Sequence, residues 1–147
     1  MVDIVNLDST VRHIDTQPGT PTKDFFNWLK KISDFGAAWI AFTPTVTAGS
    51  GTIAAYTATC RYREIGRTVM IQVQITITNA GTAGGAINVT LPRAALGTQM
   101  ISGRDVTSGS ALTGTVGGSN MAVVRYDSAF PGVTGSQLVL GGSYEEA

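Results

Sequence analysis

The chain is poor in the residues that metal binding and catalysis most often use. Its 147 residues include one cysteine, Cys60, and one histidine, His13. A single cysteine excludes an intrachain disulfide and a zinc site built from cysteines. A Ser/His/Asp triad would have to take its base from the polar segment around His13. We therefore expect Cys60 to be a small buried hydrophobe, and we expect neither an enzymatic activity nor a cofactor.

Charge is also scarce. Charged residues make up 14% of the chain, against about a quarter in typical domains. Ten basic and ten acidic residues cancel, which argues against nucleic acid as a partner and favours self-association. No apolar run approaches 18 residues, and the first residues lack the features of a secretory signal. We expect synthesis in a cytoplasm without membrane insertion.

The acidic and glycine-rich segments match no catalytic motif. Glu145 and Glu146 are adjacent, which predicts a solvated tail rather than a glycosidase pair. Asp105 and Asp127 could meet in space, but two carboxylates in a chain with so many loops are little evidence for a catalytic pair, and no calcium-loop spacing occurs. The segments 81–85 and 114–119 lack the lysine of a phosphate-binding loop. We predict both as connections in a β-domain.

The strongest structural signal is the alternation between Val69 and Ile77. Apolar residues occupy every odd position there and polar residues or Met70 the even ones, which predicts a strand with one buried face. Similar patterns at 56–63 and 87–91, the latter ended by Pro92, and weaker ones to residue 144 give eight or so short strands. The fold class predicted is mainly β, an antiparallel β-sandwich of jelly-roll type.

Three segments are predicted. Residues 1–21, which end in two prolines and a glycine, form an extended arm for attachment; residues 22–36 form a helix; residues 37–147 form the β-sandwich. The helix carries more apolar surface than one sheet can bury. It either packs into its own subunit or holds several copies together. The residues assigned to oligomerisation are Phe25, Trp28, Leu29 and Ile32.

Several motifs carry a resemblance to a known protein class. They are Trp39, Phe42-Thr43-Pro44-Thr45-Val46-Thr47, Arg61-Tyr62, Ile65-Gly66-Arg67-Thr68-Val69 and Val89-Thr90-Leu91-Pro92. This succession resembles the C-terminal head domains of tail fibres and related appendage proteins of tailed bacteriophages. The resemblance covers about residues 20–147. It implies a homotrimeric β-sandwich displayed on a virion, with other tail, collar or baseplate proteins as partners.

Two functions of such an appendage stay open. As a receptor-binding head it would contact a host surface glycan, or a host protein, through exposed aromatic and polar residues. The residues assigned to this role are Arg125, Tyr126, Asp127 and Phe130, with Arg104 and Asp105 as a second cluster. Alternatively, Tyr126 ends a strand against the core and Phe130 plugs the end of the sandwich. The protein would then be a purely structural virion component whose N-terminal arm adds to a neighbouring sheet edge.

Overall fold

The computed structural model describes residues 23–34 and 38–147 and divides the chain into the units Met1–Ala37 and Ala38–Ala147. The helix α1, Lys23–Asp34, confirms the predicted helix and has Asp24 in its first turn, where a carboxylate is favoured by the helix dipole. At 12 residues it is too short to cross a bilayer, and no longer helix occurs in the described ranges. The predicted arm and Gly36 lie outside these ranges.

The second unit is an antiparallel β-structure, as the alternation predicts. Its strands are β1 Ile40–Phe42, β2 Val46–Ser50, β3 Ala55–Ile65, β4 Thr68–Asn79, β5 Gly84–Asp105, β6 Ala111–Arg125 and β7 Gln137–Glu145. They form one sheet in the order β1-β3-β4-β7-β5-β2, and β6 pairs with β5. The mainly β, sandwich-like fold class is thus confirmed. Its strands are fewer and longer than predicted.

The long hairpin of β5 and β6 lies where the single sheet curls into a half-barrel. The first half of β5 pairs with β2, whereas residues 102–105 pair with β7. The register between β5 and β6 shifts twice between these halves. The nine residue steps of β5 from Thr90 to Gln99 therefore lie opposite four steps of β6. The extra residues on one strand bend the hairpin, and the curled sheet encloses the core.

The core contains the residues that the alternation assigned to it. Val69, Ile71, Val73, Ile75 and Ile77 are each at most 2% exposed. They pack with buried apolar side chains from both halves of the hairpin and from β7. Burial of a side chain of this size stabilises the fold by about 1.5–3 kcal/mol. Strand β4 is therefore the central support of the domain.

Three local predictions are wrong. Pro92 does not end its strand: it lies within β5, between Thr90 and Ala95, where the register shifts and a missing N–H breaks no ladder hydrogen bond. The segment 114–119 is not a loop but the bend of β6. The sequence Ala48-Gly49-Ser50-Gly51 also predicts a loop, but Ala48 to Ser50 belong to the edge strand β2.

Candidate functional site

Four connections gather at one end of the β-domain, which we call the distal end. They are residues 51–54, 80–83, 106–110 and 126–136. The connection 80–83 is hydrogen-bonded to two of the others. The backbone N–H of Thr82 donates to the carbonyl of Thr52 at 3.1 Å, and the backbone N–H of Ala80 donates to the hydroxyl of Thr134 at 3.0 Å. Thr107 donates to the carbonyl of Gly135 at 3.0 Å. The chain enters the domain at the opposite end, where Ile40 pairs with Tyr62 near the β3–β4 turn.

The distal end brings together the two clusters that the sequence suggested separately. The backbone N–H of Tyr126 donates to the carbonyl of Ala111 at 3.1 Å, and Ala111 is the ladder partner of Arg104. The side chain of Tyr126 is 86% exposed, so the alternative in which it packs on the core is wrong. An aromatic ring thus stands in solvent near Arg104 and Asp127.

The neighbours of Tyr126 form a turn with its own contacts. A guanidinium nitrogen of Arg125 lies 3.4 Å from a carboxylate oxygen of Asp127. Asp127 also accepts a hydrogen bond from the N–H of Ala129 at 3.0 Å. Ser128 follows with a φ of +62°, a left-handed conformation that is uncommon outside glycine. The turn therefore holds Tyr126 and Asp127 outward.

Phe130 has a structural role. It is half-buried and packs against the core. A Cβ at Gly132 would come within 2.6 Å of Ile87 and 2.8 Å of the Phe130 ring, so the ring fills the space beside this glycine. The plug alternative for Phe130 therefore fits the structure. The candidate receptor contacts that remain exposed are Tyr126 and Asp127, with Arg104 at the same end of the domain, whereas Arg125 is half-buried.

Asp105 is buried, and both oxygens of its carboxylate accept hydrogen bonds. Its carboxylate accepts from the hydroxyls of Ser108 at 2.7 Å and Ser136 at 3.2 Å, and from the N–H groups of Thr107 and Gln137 at 3.0 and 3.2 Å. Burial raises the pKa of Asp105, but these bonds outweigh that effect and hold the pKa below its ordinary value. The side chain joins the β5–β6 turn to the start of β7. It has no free oxygen for a catalytic role.

A second candidate site lies on the outer face of β3, β4 and β7. A shallow cavity of about 410 Å³ opens there. Its outward side chains come from two ladder rows, Arg61–Gln72–Gly141 and Thr59–Gln74–Val139. Because Gly141 has no side chain, the floor of the cavity is low at the centre of the first row. We call this feature the face cavity.

Arg61 borders the face cavity in a fixed position. Its Nε donates to Oε1 of Gln72 at 2.7 Å. Its guanidinium carbon lies 5.2 Å from the ring centroid of Trp39, which is within the range of a cation–π interaction. Trp39 itself is 39% exposed. An arginine, an indole and one glutamine amide thus meet at one edge of the cavity, and Gln74 lies on the next ladder row.

Few signs of this second site are visible in the sequence. Alternation assigns Gln72 and Gln74 to the polar face of β4, but it does not reveal which strands flank β4. The one signal is the presence of Arg61 and Arg63 on the polar side of one alternating strand and of Gln72 and Gln74 on the polar side of the next. Trp39 appeared only as part of the resemblance. The site depends on the adjacency of β1, β3, β4 and β7.

The predicted oligomerisation residues lie on α1. Phe25 and Trp28 stack with their ring centroids 5.7 Å apart. Leu29 is 41% exposed, and its neighbour Phe26 is 56% exposed. The side chain of Ile32 and the whole of His13 lie outside the described residues. Two large apolar side chains of this helix are therefore available for contact.

The described residues contain no arrangement that suggests metal chemistry or a reactive thiol. No three His, Cys, Asp or Glu side chains in residues 23–34 and 38–147 are placed to hold a metal ion. Cys60 is buried as predicted, and desolvation raises the pKa of its thiol to about 11. At neutral pH the thiol is protonated and a weak nucleophile.

Comparisons of the chain with protein-family models, curated proteins and solved structures find no match. The arguments for function therefore rest on the geometry of the two candidate sites, on the exposed helix residues and on the resemblance of the sequence motifs.

Proposed function

We propose that the chain is a virion appendage protein of a tailed bacteriophage, with a homotrimeric head that contacts the host surface and performs no catalysis. The main support is the position of Tyr126. It stands exposed at the distal end, whereas the chain enters the domain at the opposite end. A domain attached at its entry end would present the Tyr126 turn outward.

The chemistry of the distal end suits recognition. An exposed tyrosine offers an apolar face and a hydroxyl, and Arg125, Asp127 and Arg104 add charged hydrogen-bonding groups around it. Such loops on a rigid scaffold are common binding sites. The pairing of Arg125 with Asp127 keeps the local charge balanced, so binding would depend on hydrogen bonds and stacking more than on long-range attraction.

The adsorption of phage particles tests the receptor role. Particles assembled with Tyr126→Ala should be complete but should adsorb to host cells at least tenfold more slowly. The matched control is Arg67→Ala, at the opposite end of the domain, which should adsorb normally. Normal adsorption of the Tyr126→Ala particles would argue against receptor binding at the distal end.

The assembly state tests the trimer. Light scattering should give three times the chain mass for the full chain and a lower mass for residues 38–147, because α1 supplies exposed apolar side chains. A full-length chain that is monomeric at micromolar concentration would contradict the trimeric head.

The structural alternative has its own support. Two cavities lie on the outer sheet face, and both β1 and β2 are edge strands that could accept a strand from a neighbour. In a purely structural component, deletion of residues 1–20 should prevent incorporation into particles, and Tyr126→Ala should leave adsorption unchanged.

A further inference from the structure

The arginines of the β-domain separate into two groups. Three are paired with carboxylates: Arg67 with Glu145 at 3.6 Å, Arg93 with Glu64 at 2.6 Å and Arg125 with Asp127 at 3.4 Å. The other three, Arg61, Arg63 and Arg104, form no ion pair with any carboxylate in the described part of the chain. Half of the arginines in this domain therefore have no carboxylate partner.

Two of the three unpaired arginines, Arg61 and Arg63, lie on the outer side of β3, and Arg61 lines the face cavity. The guanidinium of Arg104 lies instead near Gly109, in the 106–110 connection at the distal end. The ladder rows through Arg61 and Arg63 contain no Asp or Glu. The outer face around the cavity is therefore cationic, although the chain has no net charge.

The guanidinium of Arg61 is oriented by two contacts within the domain. The hydrogen bond to Gln72 and the contact with Trp39 use its Nε and one face of its guanidinium. Its two terminal nitrogens have no hydrogen-bond partner among the described residues. A guanidinium that is already oriented loses less rotational freedom when it binds a carboxylate. The Nε of the neighbouring Arg63 is buried without a partner, which adds positive charge beside the cavity.

The rest of the lining suits a sugar. Gln72, Gln74 and Thr59 offer amides and a hydroxyl that can pair with sugar hydroxyls, while the side chain of Val139 and the Cα of Gly141 offer a small apolar surface. The volume of about 410 Å³ falls in the range of small-molecule sites. An extended acidic peptide would need a deeper or longer groove, and nucleic acid would need a larger basic surface.

We propose that the face cavity binds a sugar that carries a carboxylate, with the carboxylate on Arg61 and the hydroxyls on Gln72, Gln74 and Thr59. This inference does not depend on the virion role, because it rests on the charge pattern and shape of one face. It assigns a second binding surface, distinct from the Tyr126 turn.

Titration calorimetry with trigalacturonic acid tests the proposal. Its trimethyl ester is the control that has the same sugars without charge, and inorganic phosphate is the control that has charge without a sugar. The full-length chain should bind the acid at least tenfold more tightly than the ester or phosphate. Equal affinity for acid and ester, or no detectable binding of the acid, would overturn the proposal. Phosphate binding as tight as that of the acid would show an anion site without sugar recognition, and would also overturn it.

Variants locate the binding. Arg61→Gln should weaken acid binding at least tenfold, whereas Arg67→Gln removes the same charge at an ion-paired position and should leave binding unchanged. Gly141→Leu should fill the cavity; a Cβ there would lie 3.7 Å from the carbonyl of Ile71 and 3.9 Å from Gln72, both ordinary contacts. Circular dichroism would check that each variant folds. If Gly141→Leu does not fold, the binding measured for Arg61→Gln decides whether the acid occupies the face cavity.

A further variant separates this site from the distal end. Tyr126→Ala should bind the acid normally if the face cavity is the site. Loss of binding in Tyr126→Ala together with normal binding in Arg61→Gln would place the acidic sugar at the distal end. That result would overturn this inference and leave the proposed receptor function standing.

Discussion

The hydroxyl of Tyr144 donates a hydrogen bond of 2.9 Å to the backbone carbonyl of Arg93. Tyr144 lies on β7 and is 2% exposed, and Arg93 lies in the bend of β5, where the ladder with β6 is interrupted. The bond therefore satisfies a carbonyl that the bend leaves without a strand partner. It joins the last strand to the point where the sheet folds over.

Tyr144→Phe should lower the free energy of unfolding by about 1 kcal/mol at pH 7, because one hydrogen bond is lost at a bulge. Burial raises the pKa of Tyr144 to about 12, so the folded state keeps its proton more tightly than the unfolded state. The stabilisation that comes from this tighter proton binding is complete below pH 10 and is lost as pH rises towards 12. Urea unfolding at pH 7 and 11 should show a smaller alkaline loss in Tyr144→Phe than in the wild type.

The control for this prediction is Tyr126→Phe, since the Tyr126 side chain is exposed. It should unfold at the wild-type urea concentration at both pH values. An alkaline loss in Tyr144→Phe that equals the wild-type loss would mean that another group, such as Cys60, accounts for it.

Asp105→Asn should destabilise the domain by about 3 kcal/mol at pH 7. The amide nitrogen cannot accept the bonds from Ser108 and Ser136 that the carboxylate accepts, and bonds to a buried charge are the stronger ones. Because the pKa of Asp105 is lowered in the fold, its contribution is present above about pH 4 and is lost as pH falls through the folded-state pKa.

Chemical unfolding at pH 7 and pH 3 would measure this difference. The matched variant is Asp127→Asn, which alters an exposed carboxylate and should change stability by about 0.5 kcal/mol or less. Equal losses in the two variants would contradict the structural role assigned to Asp105.

Gly103→Ala should destabilise the fold by about 3 kcal/mol. Gly103 lies on β5, between β6 and β7, and a Cβ there would overlap the carbonyl oxygen of Val139 and lie 2.9 Å from the Cα of Leu140. Backbone atoms cannot move aside as a flexible side chain can. Gly117→Ala, where a Cβ meets nothing within 4 Å, should be neutral or stabilise by about 0.5 kcal/mol. Thermal unfolding of both variants would compare them.

The double variant Phe26→Lys with Leu29→Lys should reduce the mass of the full chain in solution to that of a monomer. Both side chains are exposed on α1, and charges there would make contact between helices unfavourable. Light scattering measures the mass, and Asn27→Lys serves as the control on the same helix. A double variant that keeps the wild-type mass would show that assembly depends on another surface.

Much of the fold could be predicted from short-range patterns. The alternation from Val69 to Ile77 predicts the buried face of β4. The short link Glu64-Ile65-Gly66-Arg67 predicts a turn between two strands, and Gly66 has a φ of +60° there. These features depend on residues close in sequence, where side-chain period and turn chemistry act directly.

The folding over of the sheet could not be predicted in this way. It depends on an unequal number of residues in β5 and β6 between Thr90 and Gln99, and alternation does not reveal strand neighbours. Pro92 was misread for the same reason, since a proline that ends an ordinary strand is tolerated at a bulge. The face cavity combines three strands and was therefore not predicted either, whereas the exposed Tyr126 turn lies in one short segment.

The placement of β7 has a consequence for how the chain folds during synthesis. This strand lies between β4 and β5, and its ladder joins Thr68 to Glu145. Contacts between residues so distant in sequence form slowly. While β7 is still being made, the inner edge of β4 stays unpaired and prone to aggregate. The ribosome must release almost the whole domain before its central strands can meet, so folding should be a late, cooperative event.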